Sequence, residues 1–436
     1  MTIETAQKNI NINLFEKIFP AHLELIPQLN EVYELELAFY ESLMLSDEDL
    51  VRNGAYFAGV NGKPTRHFLM CQGEPLKLAK HSSSRLKSFF QTNQFKTGYA
   101  TNGLFPYRGK FHPQMIKGLI NVMGCKPGDV VLDPMMGSGT VLIEATLMGI
   151  DSIGIDASPF CDFMVKAKLS GLNVDLDAVK KSLTNFDVLY QYFTENSLAL
   201  EKMDFYFDDF PKEFELSEIF TDKDLYNYLA LSFLDAKGYA ERSKRKTLRE
   251  QFKAILERYL FVAEKIQMII KGCENQLGSA NPMVGDARKL NVADESIDGI
   301  IFSPPYSFAI DYLKNDAQHL NAIGVDINEL RKVMIGLRHK KPKDKYEGYL
   351  VDMQKVIAEC HRVLKPGKIC SIIIGTNNNQ ISKILKVSPD DVKGLNEKLI
   401  EIGENIGLRH IKSIERKING IANTMRSEFI VLLQKN

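Results

Sequence analysis

The chain has 436 residues, of which 44% are hydrophobic and 25% charged, a composition typical of a soluble protein with a sizeable core. Its 55 basic and 55 acidic residues cancel, so net charge does not indicate a nucleic-acid partner. No apolar run of about 18 residues predicts a membrane span, and the polar first residues predict no secretory signal. The six cysteines form no Cys-x-x-Cys pair, which argues against a zinc ribbon and a disulfide framework and favours a reducing, cytoplasmic location.

The first part of the chain predicts a mixed, mostly helical region over residues 1–75, without a chemical motif. From Pro75 through Gly128 there is no Asp or Glu, and basic residues alternate with aromatic ones. This combination suits a phosphate backbone and unstacked bases, and equally a solvated face of a neutral protein. The basic residues are Lys77, Lys80, Arg85, Lys87, Lys96, Arg108, Lys110, Lys117 and Lys126, and the aromatic residues are Phe89, Phe90, Phe95, Tyr99, Phe105, Tyr107 and Phe111.

The next part of the chain alternates strands and helices. A strand at 130–132 leads through a glycine-rich turn into a helix at 141–148. A second strand at 152–155 ends in Asp156, and a helix follows at about 160–169. This βαβ pattern predicts an α/β fold with a doubly wound, mostly parallel sheet.

Residues 174–277 interrupt the alternation with long helical patterns, acidic in the first half and basic in the second. They predict an inserted helical subdomain, a candidate for target recognition or for dimer contacts. Strands then resume at 283–284, 299–302 and 370–374, and a C-terminal hairpin is predicted from 411–414 and 429–433. The predicted segments are 1–75 (N-terminal region), 76–173 (basic aromatic segment and first half of the cofactor-binding domain), 174–277 (insertion) and 278–436 (catalytic second half).

The glycine-rich turn, residues 133–140, reads Asp-Pro-Met-Met-Gly-Ser-Gly-Thr. Glycines let a backbone approach a ligand closely, and the following helix offers free N–H donors. A dinucleotide fingerprint fails because Leu142 occupies the position of its last glycine. A phosphate loop fails because no Gly-Lys-Ser/Thr follows. The turn therefore indicates a ligand-binding loop of another kind.

A second motif, Ser303-Pro304-Pro305-Tyr306, directly follows the apolar strand 299–302. Taken alone, such a tetrapeptide is more often a turn than a catalytic site. At the carboxyl edge of a parallel sheet, however, it can orient an exocyclic amine, which is a poor nucleophile. The Ser303 hydroxyl and the Pro304 carbonyl can accept the two amine hydrogens, and Tyr306 can stack on an extruded base. Catalysis would then be positioning, without a covalent intermediate.

Both motifs resemble those of the class I S-adenosylmethionine-dependent amino-group DNA methyltransferases. The resemblance implies S-adenosyl-L-methionine as cofactor, no metal, and a seven-stranded sheet with a C-terminal antiparallel hairpin. It assigns catalysis to Ser303, Pro304, Pro305 and Tyr306. It assigns cofactor binding to Phe111, His112, Pro113, Asp133, Pro134, Met135, Gly137, Ser138, Gly139, Thr140, Asp156, Ala157, Asp286, Ala287 and Ser303.

Within that set, the resemblance implies individual roles. Asp133 and the backbone of 137–139 hold the methionine portion, Asp156 the ribose hydroxyls and Asp286 the adenine. A purely structural alternative is that Asp156 and Asp286 cap the helices that follow them. His112 could be mistaken for a base or metal ligand, but without a His-x-x-x-His partner a helix-start role is the better interpretation.

Serine at the first tetrapeptide position is most typical of cytosine-N4 enzymes, so DNA cytosine N4 is the first hypothesis. Adenine N6 in DNA and guanine N2 in tRNA or rRNA stay open, since those enzymes prefer Asp or Asn there and some tRNA enzymes share this motif order. A cytosine-C5 enzyme is excluded because no proline precedes a cysteine.

The implied partners are DNA with an extruded base, or RNA, and a restriction endonuclease, with no membrane. Basic residues at 338–345, and those between Arg416 and Arg426, predict either phosphate contacts or a surface loop. A catalytically silent nucleic-acid-binding protein is the alternative from another class.

Overall fold

The computed structural model describes residues 18–27, 29, 31–71, 99–107, 109–196, 198, 223–242, 246–272, 277–305, 312–339, 341–417 and 427–436. Outside these ranges lie residues 76–98 and Arg108 of the basic aromatic segment, residues 199–222 of the insertion, Tyr306 and residues 418–426. In the described part of the chain, no helix is long and apolar enough to cross a membrane.

The described N-terminal residues form three helices and a small three-stranded antiparallel sheet. The strands β1 (Leu23–Leu25), β2 (Phe57–Val60) and β3 (Lys63–Pro64) pair antiparallel. The helices are α1 (Val32–Met44), α2 (Asp47–Asn53) and α3 (Arg66–Cys71). The strands escaped prediction because two to four residues are too few to show a period of two.

A seven-stranded sheet of described residues forms the centre of the fold. Its strands are β4 (Val130–Asp133), β5 (Asp151–Asp156), β6 (Ala280–Val284), β7 (Ile297–Phe302), β8 (Leu364–Thr376), β9 (Leu408–Lys417) and β10 (Ser427–Lys435). Their spatial order is β6-β5-β4-β7-β8-β10-β9. The first five are parallel, and β10 runs antiparallel to both β8 and β9. The predicted sheet and hairpin are confirmed. The strand order reverses between β4 and β7, where doubly wound sheets bind ligands.

Helices cover both faces of the sheet. In the first half they are α4 (Pro113–Val122), α5 (Thr140–Met148), α6 (Pro159–Ser170), α7 (Leu176–Thr184) and α8 (Phe186–Glu195). They continue as α9 (Lys223–Arg242), α10 (Leu248–Lys271), α11 (Tyr312–Ala322), α12 (Ile327–Val333), α13 (Pro342–Val363), α14 (Asn378–Leu385) and α15 (Leu395–Ile406). Helix α13 begins at Pro342, because proline is favourable in the first helical turn.

The helical insertion shares a core with α6, so the described helices α7–α10 are not a detached subdomain. Buried aromatic side chains of α9 and α10, including Tyr228 and Phe252, belong to the same cluster as Phe160 of α6. The Tyr228 hydroxyl donates to the Tyr259 carbonyl at 2.7 Å. Burial of these rings joins the insertion to the main domain.

Three members of the basic aromatic segment are core residues and therefore cannot form a nucleic-acid surface, whereas the role of its other residues stays a prediction. Tyr99, Phe105 and Lys117 are each at most 2% exposed. The Lys117 ammonium lies 3.5 Å from the Glu144 carboxylate on α5. The side chains of α4 are buried on all sides of the helix, so the Lys117 charge lies in the interior. The ion pair with Glu144 compensates the cost of burying that charge.

Candidate active site

The glycine-rich loop joins β4 to α5 and adopts a backbone that requires glycine at two positions. Gly137 and Gly139 have φ of +47° and +74°, in the left-handed region. A Cβ at Gly139 would lie 2.5 Å from the Val165 side chain of α6. The loop is therefore held close to α6 and leaves its Gly137–Ser138 side facing a cleft.

Asp133, at the end of β4, lies beneath this loop. Its carboxylate is fully buried, and one oxygen accepts a hydrogen bond from the Met135 N–H at 3.0 Å. Burial raises the pKa of Asp133 well above its usual range. Pro134, Met135 and Ser138 line the cleft, whereas Asp133 does not. Direct contact of Asp133 with the cofactor stays a prediction.

Asp156, at the end of β5, lines the cleft and organises the glycine loop. Its two carboxylate oxygens accept hydrogen bonds from the Gly137 N–H at 2.9 Å and the Ser158 N–H at 2.8 Å. Burial raises its pKa. The Ser158 bond closes an Asx turn just before α6, and Asp156 does not cap that helix, whose N-cap residue is Ser158. Each oxygen keeps a second lone pair, so the carboxylate can also accept from ribose hydroxyls.

Asp286 follows β6 and also lines the cleft, but Arg288 engages its carboxylate. Partial burial acts to raise the pKa of Asp286, yet the hydrogen bonds from Arg288 prevail and the pKa is lowered. Arg288 further donates to the Asp352 carboxylate at 3.1 Å and to the Val333 carbonyl at 2.8 Å. Asp286 therefore caps no helix; it joins β6 to the opposite wall of the cleft.

Ser303 and Pro305 lie just after β7 and line the same cleft as the glycine loop. Pro304 is buried and does not line it, and Tyr306 lies outside the described residues. Because β4 and β7 are parallel neighbours, their carboxyl ends bring the two motifs together. This juxtaposition is the spatial arrangement that amine methylation requires.

The cleft, counted with its open mouth, has a volume of about 960 Å³. A Cβ at Gly137 would reach 3.4 Å from the Tyr107 ring, so the bare backbone keeps this wall open. Ala157 and Ala287 also line it, beside the acidic side chains suited to ribose and adenine. The residues present thus fit an adenosyl cofactor.

Several predicted residues support the cleft from outside it. His112 is the N-cap residue of α4, and its Nε2 lies 2.7 Å from Arg416, in agreement with a helix-start role. Pro113, Gly139 and Thr140 are likewise absent from the cleft wall, whereas Phe111 belongs to it.

Other lining residues were not predicted. They are Tyr107, Gly109, Lys110, Met136, Ser158, Cys161, Gly285, Leu313, Asp316, Val333, Met334 and Ile335. Tyr107 and Lys110 adjoin the predicted segment and could have been inferred from it. The residues of α11 and of 333–335 follow the tetrapeptide without any motif, so no local signal marked them.

Comparison with known families agrees with this geometry. A family described as "RMKL-like, methyltransferase domain" matches residues 104–332, and one described as "DNA methylase" matches residues 297–431. The first match covers more than half of the chain. The chain therefore belongs to the RMKL-like family of methyltransferase domains, and its cofactor is S-adenosyl-L-methionine.

Individual relatives share limited sequence identity with this chain. Type II methyltransferase M.MjaII of Methanocaldococcus jannaschii is 31% identical over 153 residues, 32% of this chain and 28% of that protein. M.BsoBI of Geobacillus stearothermophilus is 25% identical over 329 residues, 61% of this chain and 62% of that protein. The chain therefore spans less than two thirds of the length of either of these two relatives. M.MvaI of Kocuria varians is 23% identical over 452 residues, which cover 82% of this chain and 96% of that protein. A tRNA (guanine(10)-N2)-dimethyltransferase of Methanothermobacter thermautotrophicus matches over only 52 residues, at 44% identity, 12% of this chain and 16% of that protein.

Proposed function

We propose that this protein methylates the exocyclic amino group of a base in DNA, with cytosine N4 as the first choice. One observation carries the proposal: Ser303 and Pro305 line the same cleft as Gly137 and Asp156. A donor-poor turn that can hold an amine therefore opens onto a loop that can hold an adenosyl cofactor.

The chain's own residues would act mainly by positioning. The Ser303 hydroxyl, which lines the cleft, would accept one hydrogen of the amine and so direct the nitrogen lone pair at the methyl carbon. Contact of the Pro304 carbonyl with the second hydrogen stays a prediction, because Pro304 does not line the cleft. Bound S-adenosylmethionine supplies a methyl group whose S–C bond breaks as the new N–C bond forms, and the amine proton is released to solvent.

The choice of DNA is supported by the names of the relatives, since M.BsoBI and M.MvaI are Type II methyltransferases. A Type II relative also supports a restriction endonuclease as a functional partner. The choice of cytosine rests on serine at position 303, which is most typical of cytosine-N4 enzymes. Adenine N6 is the alternative in DNA. Guanine N2 in tRNA or rRNA is the alternative suggested by the short tRNA-enzyme match.

The test is incubation of the purified chain with methyl-labelled cofactor and either duplex DNA or tRNA, followed by digestion to nucleosides and mass spectrometry. The expected product is N4-methylcytosine in DNA. N6-methyladenine would overturn the choice of base, and label confined to tRNA would overturn the choice of polymer. Absence of transfer to both, with the cofactor bound, would favour a silent binding protein.

A further inference from the structure

One wall of the cleft is a short segment that begins at the last residue of α12. Residues 333–338 form this segment, which we call the strap, and its first three residues line the cleft. Gly336 has φ of +80°, so the strap turns there in left-handed backbone. Met334 packs against the cluster shared by α6, α9 and α10, whereas Ile335 packs against the cluster that contains the buried face of α13. The strap therefore bridges two cores without belonging to a sheet.

Both ends of the strap are held by arginine side chains. At its start, the Val333 carbonyl accepts a hydrogen bond from Arg288 at 2.8 Å. At its end, Arg338 donates to both carboxylate oxygens of Asp352 in α13. Arg288 also donates to Asp352, at 3.1 Å. The two anchors of the strap thus converge on one carboxylate.

The burial of this cluster makes its charges depend on one another. Asp352 is 1% exposed, and the Arg288 side chain is 12% exposed. With Asp286, the cluster consists of two guanidinium groups and two carboxylates, so it is formally neutral. Removal of the Asp352 charge would leave Arg288 and Arg338 facing a single carboxylate, and a poorly hydrated excess of charge is costly. The exposed end of the strap, at Arg338, is the part that can move to relieve it.

The same cluster borders the part of the cleft that is suited to the adenosyl group. Asp286 and Ala287 line the cleft beside Arg288, and the family resemblance assigns Asp286 to the adenine. Asp352 lines no part of the cleft, so it can act on a ligand only through the strap and Arg288.

We propose that Asp352 is a positioning residue that holds the strap against the adenosyl side of the cleft. Its loss would open this wall and weaken cofactor binding without altering the chemistry at Ser303. The inference rests on the assigned cofactor and deepens the proposed function. The competing interpretation is that Asp352 only stabilises the packing of α13.

The main variant is Asp352→Asn, which keeps the size of the side chain and an acceptor oxygen but removes the charge. Calorimetric titration should show S-adenosylhomocysteine binding weakened by about 10-fold, the usual effect of losing one charge-assisted hydrogen bond. Amide hydrogen exchange followed by mass spectrometry should be faster over residues 333–338, and saturating S-adenosylhomocysteine should slow it again. In methyl transfer, KM for the cofactor should rise while kcat stays within about twofold of wild type.

Glu359→Gln is the matched control on the same helix. The Glu359 carboxylate accepts from the Leu290 N–H at 2.7 Å and from Arg362, and none of the three residues lines the cleft. This variant should change neither strap exchange nor ligand affinity. Arg338→Met is the second test, because it leaves the buried Arg288–Asp352 pair intact and so protects the fold. It should speed exchange in the strap and weaken binding by about threefold, and Arg338→Lys should restore part of the loss.

Three results would overturn the inference. Affinity within twofold of wild type, despite faster strap exchange, would show that the strap is not part of the cofactor site. Weaker binding with unchanged strap exchange, or an equal loss in Glu359→Gln, would leave Asp352 a purely structural role. A wild-type chain that binds S-adenosylhomocysteine but methylates neither DNA nor RNA would instead contradict the proposed function, and the binding and exchange measurements would still test Asp352.

Discussion

The Asp156 carboxylate accepts a hydrogen bond from the Gly137 backbone N–H at 2.9 Å and so joins the end of β5 to the loop after β4. Asp156→Ala should lower S-adenosylhomocysteine affinity by about 100-fold, because loop order and a charge-assisted ribose contact are lost together. Calorimetric titration measures the effect. The control is Asp187→Asn, an exposed carboxylate paired with Arg249. Affinity within twofold of wild type would contradict the role of Asp156.

Gly139 and Gly62 have nearly the same positive φ, +74° and +72°, but different surroundings. A Cβ at Gly139 meets Val165 at 2.5 Å, whereas one at Gly62 meets no atom within 4 Å. Gly62→Ala should cost about 1 kcal/mol of unfolding free energy from backbone strain alone. Gly139→Ala should cost roughly a further 1–3 kcal/mol from overpacking. Urea unfolding gives both values, and equal costs would show that the loop is not held against α6.

Ser303→Ala should separate chemistry from cofactor binding. Loss of one hydrogen bond to the reacting amine should lower kcat by about 10-fold to 100-fold. S-adenosylhomocysteine affinity should change little, because the glycine loop and Asp156 are untouched. Ser296→Ala, at the opposite end of β7, is the control and should leave kcat unchanged. The same kcat for Ser303→Ala and wild type would remove the tetrapeptide from the reaction.

The Lys117–Glu144 pair is buried, and the Tyr99 hydroxyl and the Asn102 amide also donate to Glu144. Lys117→Met should therefore destabilise the chain by about 3–5 kcal/mol, since a buried carboxylate loses its counter-charge. Adding Glu144→Gln removes that charge but keeps an acceptor, so the double variant should regain most of the loss in urea unfolding. The salt dependence of DNA affinity should not change. A smaller salt slope with normal stability would instead make Lys117 a phosphate contact.

The amino-acid sequence by itself determined the order of strands and helices around the site and the two loops that carry chemistry. Those features are local: apolar periodicity sets each element, and glycines 137 and 139 and prolines 304 and 305 restrict their own backbone. A strand and its adjoining loop can therefore be identified without knowledge of their neighbours. The sheet and hairpin followed from the same patterns and from family resemblance.

Only the tertiary structure decided which side chains meet. Lys117 reads as a surface cation until Glu144 of another helix faces it, and Lys110 gains its surroundings from Lys168, Asp235 and Arg258 on three helices. Arg288 binds its neighbour Asp286 and also donates to Asp352 and Val333, so the surroundings of Asp286 depend on residues much later in the chain. Charge and burial depend on partners far away in the chain, and no short pattern encodes those contacts.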